Sequence, residues 1–149
     1  MRVLIDSNVI LDVLMMRQPF FDASNNAIEK LISSGNKLYI SASCLTDIYY
    51  LLMKAIKDRT KVLEEIKKII TIINIAKVDE LCISNAIKSK MVDFEDAVVD
   101  SVASSIKAAY ILTRNEKDFK NAANAIRTPS QFVRLIKMTP EELKNHYLG

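Results

Sequence analysis

Apolar residues along this chain follow two patterns, and the first is a set of short continuous runs. Runs of this length that are rich in β-branched residues are typical of strands buried inside a sheet. Four runs and a shorter fifth predict strands at Arg2–Ile5, Lys37–Ser41, Thr71–Ala76, Tyr110–Thr113 and Ala125–Arg127.

Between these runs, apolar residues recur at spacings of three and four, which predicts helices with one buried face. Asp22 and Ser43 are residue types that commonly cap a helix N-terminus. The predicted helices are Ser7–Met15, Ala23–Ser33, 43–57 with Ser43 as its cap, Thr60–Ile70, Asp79–Ser89, Phe94–Lys107 and Ser130–Ile136. Because strands alternate with helices, we expect an α/β fold with three α/β/α layers and a parallel central sheet of four to five strands.

The length of 149 residues and the hydrophobic content of 50% suit one domain with its own core. We expect that domain to span residues 1–138, followed by a short C-terminal helix or tail at 139–149. No apolar run reaches the roughly 18 residues of a membrane span, and Asp6 interrupts the first run too early for a signal peptide. The two cysteines lie in apolar helical segments, so we expect free thiols and a cytoplasmic protein.

The net charge of +3 is a mild bias, with lysines concentrated between Lys54 and Lys68 and again at Lys88 and Lys90. Such clusters are typical of a solvated helix face, and they also suit a surface that contacts a phosphate backbone. Charge alone leaves both interpretations open.

Three acidic residues follow predicted strands. Asp6 comes directly after the first strand, Asp47 lies one helical turn beyond the second, and Asp118 follows the strand at Tyr110–Thr113. The carboxyl ends of parallel strands meet at one edge of a sheet, where binding sites form. We therefore expect these acids to lie close together.

Helix periodicity adds a fourth acid to this edge. Asp47 lies in the apolar row of its helix beside Cys44 and Ile48, and Asp96 lies in the first turn of its helix near the buried row. Burying an unpaired charge is costly. A divalent cation with oxygen ligands is one common cause, and Mg²⁺ or Mn²⁺ suits such ligands.

Each acid also has a simpler interpretation. Asp6 would cap the helix that follows it, Asp96 would interact with a helix dipole, and Asp118 would be a solvated loop residue. Together on one edge they favour a metal site. The nearby acids Asp93, Glu95 and Asp100 stay ambiguous, as residues behind the site or on its substrate side.

Four segments carry a resemblance to a known family. They are Val-Leu-Ile-Asp-Ser-Asn-Val-Ile-Leu-Asp at 3–12, Ser-Ala-Ser-Cys-Leu-Thr-Asp-Ile-Tyr-Tyr-Leu-Leu at 41–52, Asp-Phe-Glu-Asp-Ala at 93–97 and Leu-Thr-Arg-Asn-Glu-Lys-Asp-Phe at 112–119. In order and spacing they resemble the PIN domain, the ribonuclease fold of VapC-type toxins, over the first 136 residues.

The resemblance implies a metal-dependent endoribonuclease that is the toxin of a type II toxin–antitoxin pair, with RNA as substrate, an antitoxin as partner and a homodimer as assembly. It implies catalytic and metal-binding roles for Asp6, Asp47, Asp96 and Asp118, and polar support from Asn8, Thr113 and Asn115. Many relatives carry Glu at the position of Asp47, and the shorter Asp would reach a metal through water.

Basic residues near the same edge are candidates for holding the nucleic-acid backbone. They are Arg17, Arg114 and Lys117.

Three other readings belong to different classes. A phospho-acceptor domain needs an acid pair at the end of the first strand. A haloacid-dehalogenase-like phosphatase needs Asp-x-Asp at the same place. This chain has Asp6-Ser7-Asn8 there, which fits neither class. A PIN fold that only binds nucleic acid, with weak or no nuclease activity, stays open because of Asp47.

Overall fold

The central sheet of the protein has five parallel strands. The computed structural model describes residues 1–137, 140–142 and 145. Its strands are β1 (Arg2–Ile5), β2 (Lys37–Ser41), β3 (Asn74–Ala76), β4 (Tyr110–Leu112) and β5 (Ile126–Arg127), in the spatial order β3-β2-β1-β4-β5. The predicted α/β class with a parallel sheet is confirmed.

Seven helices flank the sheet in the described part of the chain. They are α1 (Ser7–Leu14), α2 (Phe21–Ser33), α3 (Ala42–Ile56), α4 (Arg59–Ile72), α5 (Glu80–Lys88), α6 (Phe94–Ser105) and α7 (Pro129–Lys137), with a 3-10 turn at Glu116–Phe119. Helices α1–α4 and α7 contact one another as one group, and α5, α6 and the 3-10 turn form a second group. Right-handed crossovers place these groups on opposite faces of the sheet.

The core lies on both faces of the inner strands. Val3, Leu4 and Ile5 of β1 are fully buried, as are Ile111 and Leu112 of β4. Because helices cover both faces, these strands are continuous apolar runs rather than alternating ones, which is why the sequence reveals them.

Two predicted helix caps were wrong. Helix α2 already begins at Phe21, so Asp22 lies in its first turn. Helix α3 is capped by Ser41, whose hydroxyl accepts a hydrogen bond from the Cys44 amide at 3.2 Å, while the Ser43 hydroxyl lies 2.9 Å from that of Ser41. The last residue of β2 therefore serves as the cap of the next helix.

The third predicted strand was too long. Helix α4 runs through Ile72, and only Asn74–Ala76 joins the sheet. Ile69 and Ile73 are buried in the core, so tertiary packing keeps this β-branched stretch helical against its intrinsic preference.

The predicted boundary at residue 138 lies outside the described residues. Of the predicted tail at 139–149, only residues 140–142 and 145 are described, and they are helical. The domain division therefore stays a prediction. Within the described residues, no helix combines the length and the apolar character needed to cross a membrane.

Candidate metal centre

Asp6 lies at the carboxyl edge of the sheet, between β1 and β4. Its backbone amide donates to the carbonyl of Leu112 at 2.9 Å. From β1 the chain crosses to β2 on one side, whereas β4 lies on the other side. This is the position where the strand order reverses, and binding sites in open α/β sheets form at such positions.

Both carboxylate oxygens of Asp6 are held by hydrogen bonds. Oδ1 accepts from the Ser7 amide at 2.8 Å, so Asp6 does cap α1. Oδ2 accepts from the Thr113 hydroxyl at 2.8 Å and from the Asn8 side-chain amide at 3.1 Å. Helix capping explains only the contact of Oδ1, because Oδ2 is held by other side chains, those of Thr113 and Asn8.

Asp6, Asp96 and Asp118 form a group of mutually repelling acids. Burial raises the pKa of Asp6, and the charge of Asp118 raises it further, while hydrogen bonds from Thr113 and Ser7 lower it. Burial, together with the charges of Asp6, Asp93 and Asp118, raises the pKa of Asp96 to about 7. The structure thus brings together three of the four acids that the sequence singled out.

The fourth acid, Asp47, reaches this group through Glu95. Asp47 is half-buried on α3, and a hydrogen bond between its carboxyl and that of Glu95 is the main cause that raises the pKa of Glu95 to about 7. Two carboxylates this close repel each other, which favours the protonated form of Glu95. The sequence left Glu95 ambiguous, and the available signal was its place beside Asp96 at the start of α6.

The other two ambiguous acids support the fold around α6. Asp93 caps α6 by accepting from the Asp96 amide at 2.9 Å. Asp100 is buried and accepts from the backbone amides of Ala123 at 2.9 Å and Asn124 at 3.1 Å. Asp93 thereby positions Asp96, whereas Asp100 anchors the segment that leads to β5.

The predicted polar support lies around Asp6. The amide nitrogen of Asn8 donates to the Thr113 hydroxyl at 3.1 Å as well as to Asp6. Asn115 is exposed, and its backbone amide donates to the Thr113 hydroxyl at 3.1 Å. Thr113 therefore links β4 and the loop after it to Asp6.

Two of the three predicted basic contacts, Arg17 and Arg114, face Asp12. Asp12 is fully buried and pairs with Arg17 Nε at 3.1 Å and with Arg114 Nε at 2.6 Å. Lys117 is exposed on the 3-10 turn beside Asp118. Sequence reasoning missed Asp12, although an acid inside the apolar run of α1 was the signal.

A buried thiol lies beneath Asp6. The Cys44 sulfur lies 3.9 Å from Asp6 Oδ1, and burial raises the pKa of this thiol to about 12. Cys44 and Cys82 are both free and buried, as expected. Burial therefore disfavours the thiolate, which is the form that binds metals.

The donor set fits a hard divalent cation. It consists of carboxylate and hydroxyl oxygens at one edge of the sheet, which are the ligands that Mg²⁺ and Mn²⁺ prefer. No three acids, cysteines or histidines among the described residues are placed closely enough to hold an ion as they stand. A cation would relieve the repulsion among Asp6, Asp96 and Asp118, so the side chains are expected to close around it.

The raised pKa values predict a pH dependence for the metal-free protein. Asp96 and Glu95 titrate near 7 when folded, against ordinary values of 3.8 and 4.5. The folded state then binds more protons than the unfolded state, so stability is lost as pH rises through about 7. In EDTA we expect Tm to fall by a few degrees between pH 5.5 and 8, since each kcal/mol shifts Tm by about 2–4 °C at this size.

Circular dichroism melts in EDTA measure this effect, and Asp96→Asn is the control that should flatten the curve. A Tm that rises between pH 5.5 and 8 would contradict the proximity of these acids.

Comparisons with known proteins match most of the chain. Residues 2–117 match the model of the PIN domain. Ribonuclease VapC1 of Aquifex aeolicus (strain VF5) is 28% identical over 136 residues, which are 88% of this chain and 92% of that protein.

Two solved structures share the fold. The chain is similar to VapBC2 of Rickettsia felis, solved bound to a promoter DNA fragment, with a TM-score of 0.69, 18% identity, and coverage of 86% of this chain and 98% of that chain. It is also similar to FitAcB of Neisseria gonorrhoeae, with a TM-score of 0.68, 20% identity, and coverage of 86% of this chain and 98% of that chain. At this identity the likeness concerns architecture.

Proposed function

Because the chain belongs to the PIN domain family, we propose that it is a metal-dependent endoribonuclease that hydrolyses RNA phosphodiester bonds, and that it is the toxin of a type II toxin–antitoxin pair. The observation that carries the proposal is the convergence of Asp6, Asp96 and Asp118 at the strand-order reversal. The likeness to a VapC ribonuclease over most of both chains supports it.

In this proposal Asp6, Asp96 and Asp118 hold Mg²⁺ or Mn²⁺, and Asp47 contributes through Glu95 or through water. When bound, the ion supplies activation of water and neutralises the charge that develops at phosphorus. The protein holds Asp6 by hydrogen bonds to both of its oxygens, so this carboxylate is oriented before any ligand binds.

Glu95 suits a proton-transfer role. A group that titrates near neutral pH can accept a proton from an attacking water and release it later. The pKa of about 7 at Glu95 meets this requirement. Lys117, exposed beside Asp118, is a basic residue available to attract the RNA backbone.

The test is cleavage of labelled single-stranded and structured RNA in Mn²⁺, Mg²⁺ or EDTA. We expect cleavage with either metal and none in EDTA. RNA binding without cleavage under every metal condition would instead favour the PIN fold that only binds nucleic acid.

We propose that the antitoxin docks on an apolar groove between α1, α2 and α4. Ile32 and Ile72 are 43% and 56% exposed along this groove, and Glu29, Glu65 and Lys68 lie at its edges. Exposed apolar surface of this kind marks interaction sites, and one solved structure with this fold is a toxin–antitoxin complex from Klebsiella pneumoniae. The test is co-expression with a small gene next to the one that encodes this chain. We expect that gene to relieve the growth arrest caused by the native chain but not the arrest caused by Ile32→Glu.

Homodimerisation uses a different surface in this proposal. Tyr50 and Leu51 on α3 are 66% and 43% exposed, and Ile70 on α4 is 44% exposed. Light scattering at micromolar concentration should give the mass of a dimer, with a monomer for Leu51→Glu and an unchanged dimer for Ile32→Glu. A monomeric mass for the native protein would contradict the dimer.

A further inference from the structure

A buried ion cluster lies next to the acids of the proposed metal centre. Its centre is Asp12 on α1, with an exposed fraction of 0%. The Asp12 carboxylate accepts from Arg17 Nε at 3.1 Å, Arg114 Nε at 2.6 Å, Arg114 Nη2 at 3.1 Å and the Ser24 hydroxyl at 3.1 Å. Hydrogen bonds of this kind to a charged group are the strong ones.

Both arginines of this cluster also hold Asn8. Arg17 Nη2 donates to the backbone carbonyl of Asn8 at 3.1 Å. The backbone amide of Arg114 donates to Asn8 Oδ1, also at 3.1 Å. One end of the Asn8 side-chain amide is therefore fixed by the loop that carries Arg114.

The orientation of Asn8 determines what it presents to Asp6. Because Oδ1 faces the Arg114 amide, Nδ2 points the other way and donates to Asp6 Oδ2 and to the Thr113 hydroxyl, each at 3.1 Å. A flipped amide would place an oxygen against the Asp6 carboxylate, since an amide has one donor end and one acceptor end.

Asp12 also determines where two positive charges lie. Arg114 is held between Asp12 and the ring of Phe20, with its guanidinium carbon 3.9 Å from the ring centroid. Without the Asp12 carboxylate, this guanidinium loses the acceptor of its Nε and Nη2 hydrogen bonds, and the loop that carries the Arg114 amide loses an anchor.

We propose that Asp12 is a positioning residue for the metal centre: it anchors Arg17 and Arg114, both of which hold Asn8, and through Asn8 it orients Asp6 Oδ2. The inference rests on the proposed function, because it concerns the same carboxylates. A purely structural role for Asp12 is the competing explanation, and the experiment is designed against it.

Asp100 provides the matched control. It is also a buried acid, 6% exposed, and it is held by the amides of Ala123 and Asn124 rather than by groups that contact Asp6. Asp12→Asn and Asp100→Asn are therefore near-isosteric losses of one buried charge each. Both variants are compared at a temperature well below either Tm.

The first measurement is Mn²⁺ affinity by electron paramagnetic resonance, without RNA. We expect Asp12→Asn to weaken Mn²⁺ binding about 10- to 100-fold, as loss of groups that orient metal ligands does, and to lower kcat with KM nearly unchanged. Asp100→Asn should bind Mn²⁺ like the native protein. Equal Mn²⁺ affinity in all three proteins would overturn the proposal.

A double-mutant cycle tests the route through Asn8. If Asp12 acts through Asn8, Asp12→Asn should have a much smaller effect on Mn²⁺ affinity in an Asn8→Ala background, because coupled residues are not additive. Additive losses would overturn that route. If Asp12→Asn does not fold, Arg17→Gln replaces it, since this side chain is 37% exposed and its loss removes one bond to Asn8.

A third measurement is independent of metal and of RNA. The Asn8 side-chain amide signals, assigned by their loss in Asn8→Ala, should shift and exchange faster with solvent in Asp12→Asn than in Asp100→Asn. Unchanged signals would overturn the positioning role even if the protein cleaves RNA. A native protein that neither binds Mn²⁺ nor cleaves RNA would refute the proposed function, and the amide signals would then decide the Asp12 inference by themselves.

Discussion

Replacing Asp6 or Asp96 by asparagine is expected to lower metal-dependent RNA cleavage by more than roughly 100-fold, the upper range for residues that merely orient metal ligands. Asparagine keeps the size of the side chain and removes the charge that attracts the cation. At Asp6 the amide oxygen can still accept from Thr113 or Ser7, so the fold around β1 should persist. Initial rates at saturating Mn²⁺ measure the loss.

The same substitution at Asp96 should stabilise the metal-free protein above pH 7. Its carboxylate is repelled by Asp6, Asp93 and Asp118, and asparagine removes that repulsion. Loss of activity together with a higher Tm in EDTA would separate a functional role from a damaged fold. This combination of results is expected of a functional site whose charges lower the stability of the folded protein.

Asp22→Asn is the matched control for both variants. Asp22 is an exposed acid in the first turn of α2. The Asp22→Asn variant should cleave RNA at the native rate. Native cleavage rates in Asp6→Asn and Asp96→Asn would exclude these carboxylates from the chemistry.

Replacing Asp12 by alanine is expected to lower the free energy of unfolding by about 3 kcal/mol, the lower end of the range for breaking a buried ion pair. The loss leaves two guanidinium groups and the Ser24 hydroxyl without their common acceptor. The lower end applies because the Arg17 and Arg114 side chains are 37% and 23% exposed and keep some contact with water.

Urea denaturation followed by circular dichroism measures this loss. Glu64→Ala provides the reference, because Glu64 is an exposed acid on α4, and such surface changes stay within about 0.5 kcal/mol. An Asp12→Ala variant as stable as Glu64→Ala would mean that the ion cluster around Asp12 does not contribute to the free energy of unfolding.

These two predictions assign opposite energetic roles to two acids, Asp12 and Asp96. Asp12 meets two cations and should stabilise the fold, whereas Asp96 meets other acids and should destabilise it until a cation binds. The sequence does not distinguish them, because each is an aspartate in a helix with apolar neighbours.

Much of the architecture was predictable from local patterns. Strands β1 and β2 coincide with apolar runs, because a strand buried on both faces has to be apolar throughout. Asp6 and Thr113 stand where such runs end, which places them at the carboxyl edge of the sheet. Metal binding by Asp6, Asp47, Asp96 and Asp118 stays a prediction.

Element ends and side-chain partners were not predictable in the same way. Ser41 rather than Ser43 caps α3, because the Ser41 hydroxyl accepts a hydrogen bond from the Cys44 amide. Helix α4 continues through a β-branched stretch, because the burial of Ile69 and Ile73 in the core outweighs local preference. The pairing of Asp47 with Glu95 joins residues from α3 and α6, which no local pattern relates.

The sequence by itself determined the fold class, the parallel strands and the edge of the sheet at which the acids gather, since hydrophobic periodicity and strand ends are local properties of the chain. Only the tertiary structure decided which charges meet. It turned Arg17 and Arg114 toward Asp12, and it placed Asp6 against Thr113, which lies 107 residues away along the chain. Electrostatic energy depends on distance in space, and that distance is established only when the crossovers bring β1 and β4 together.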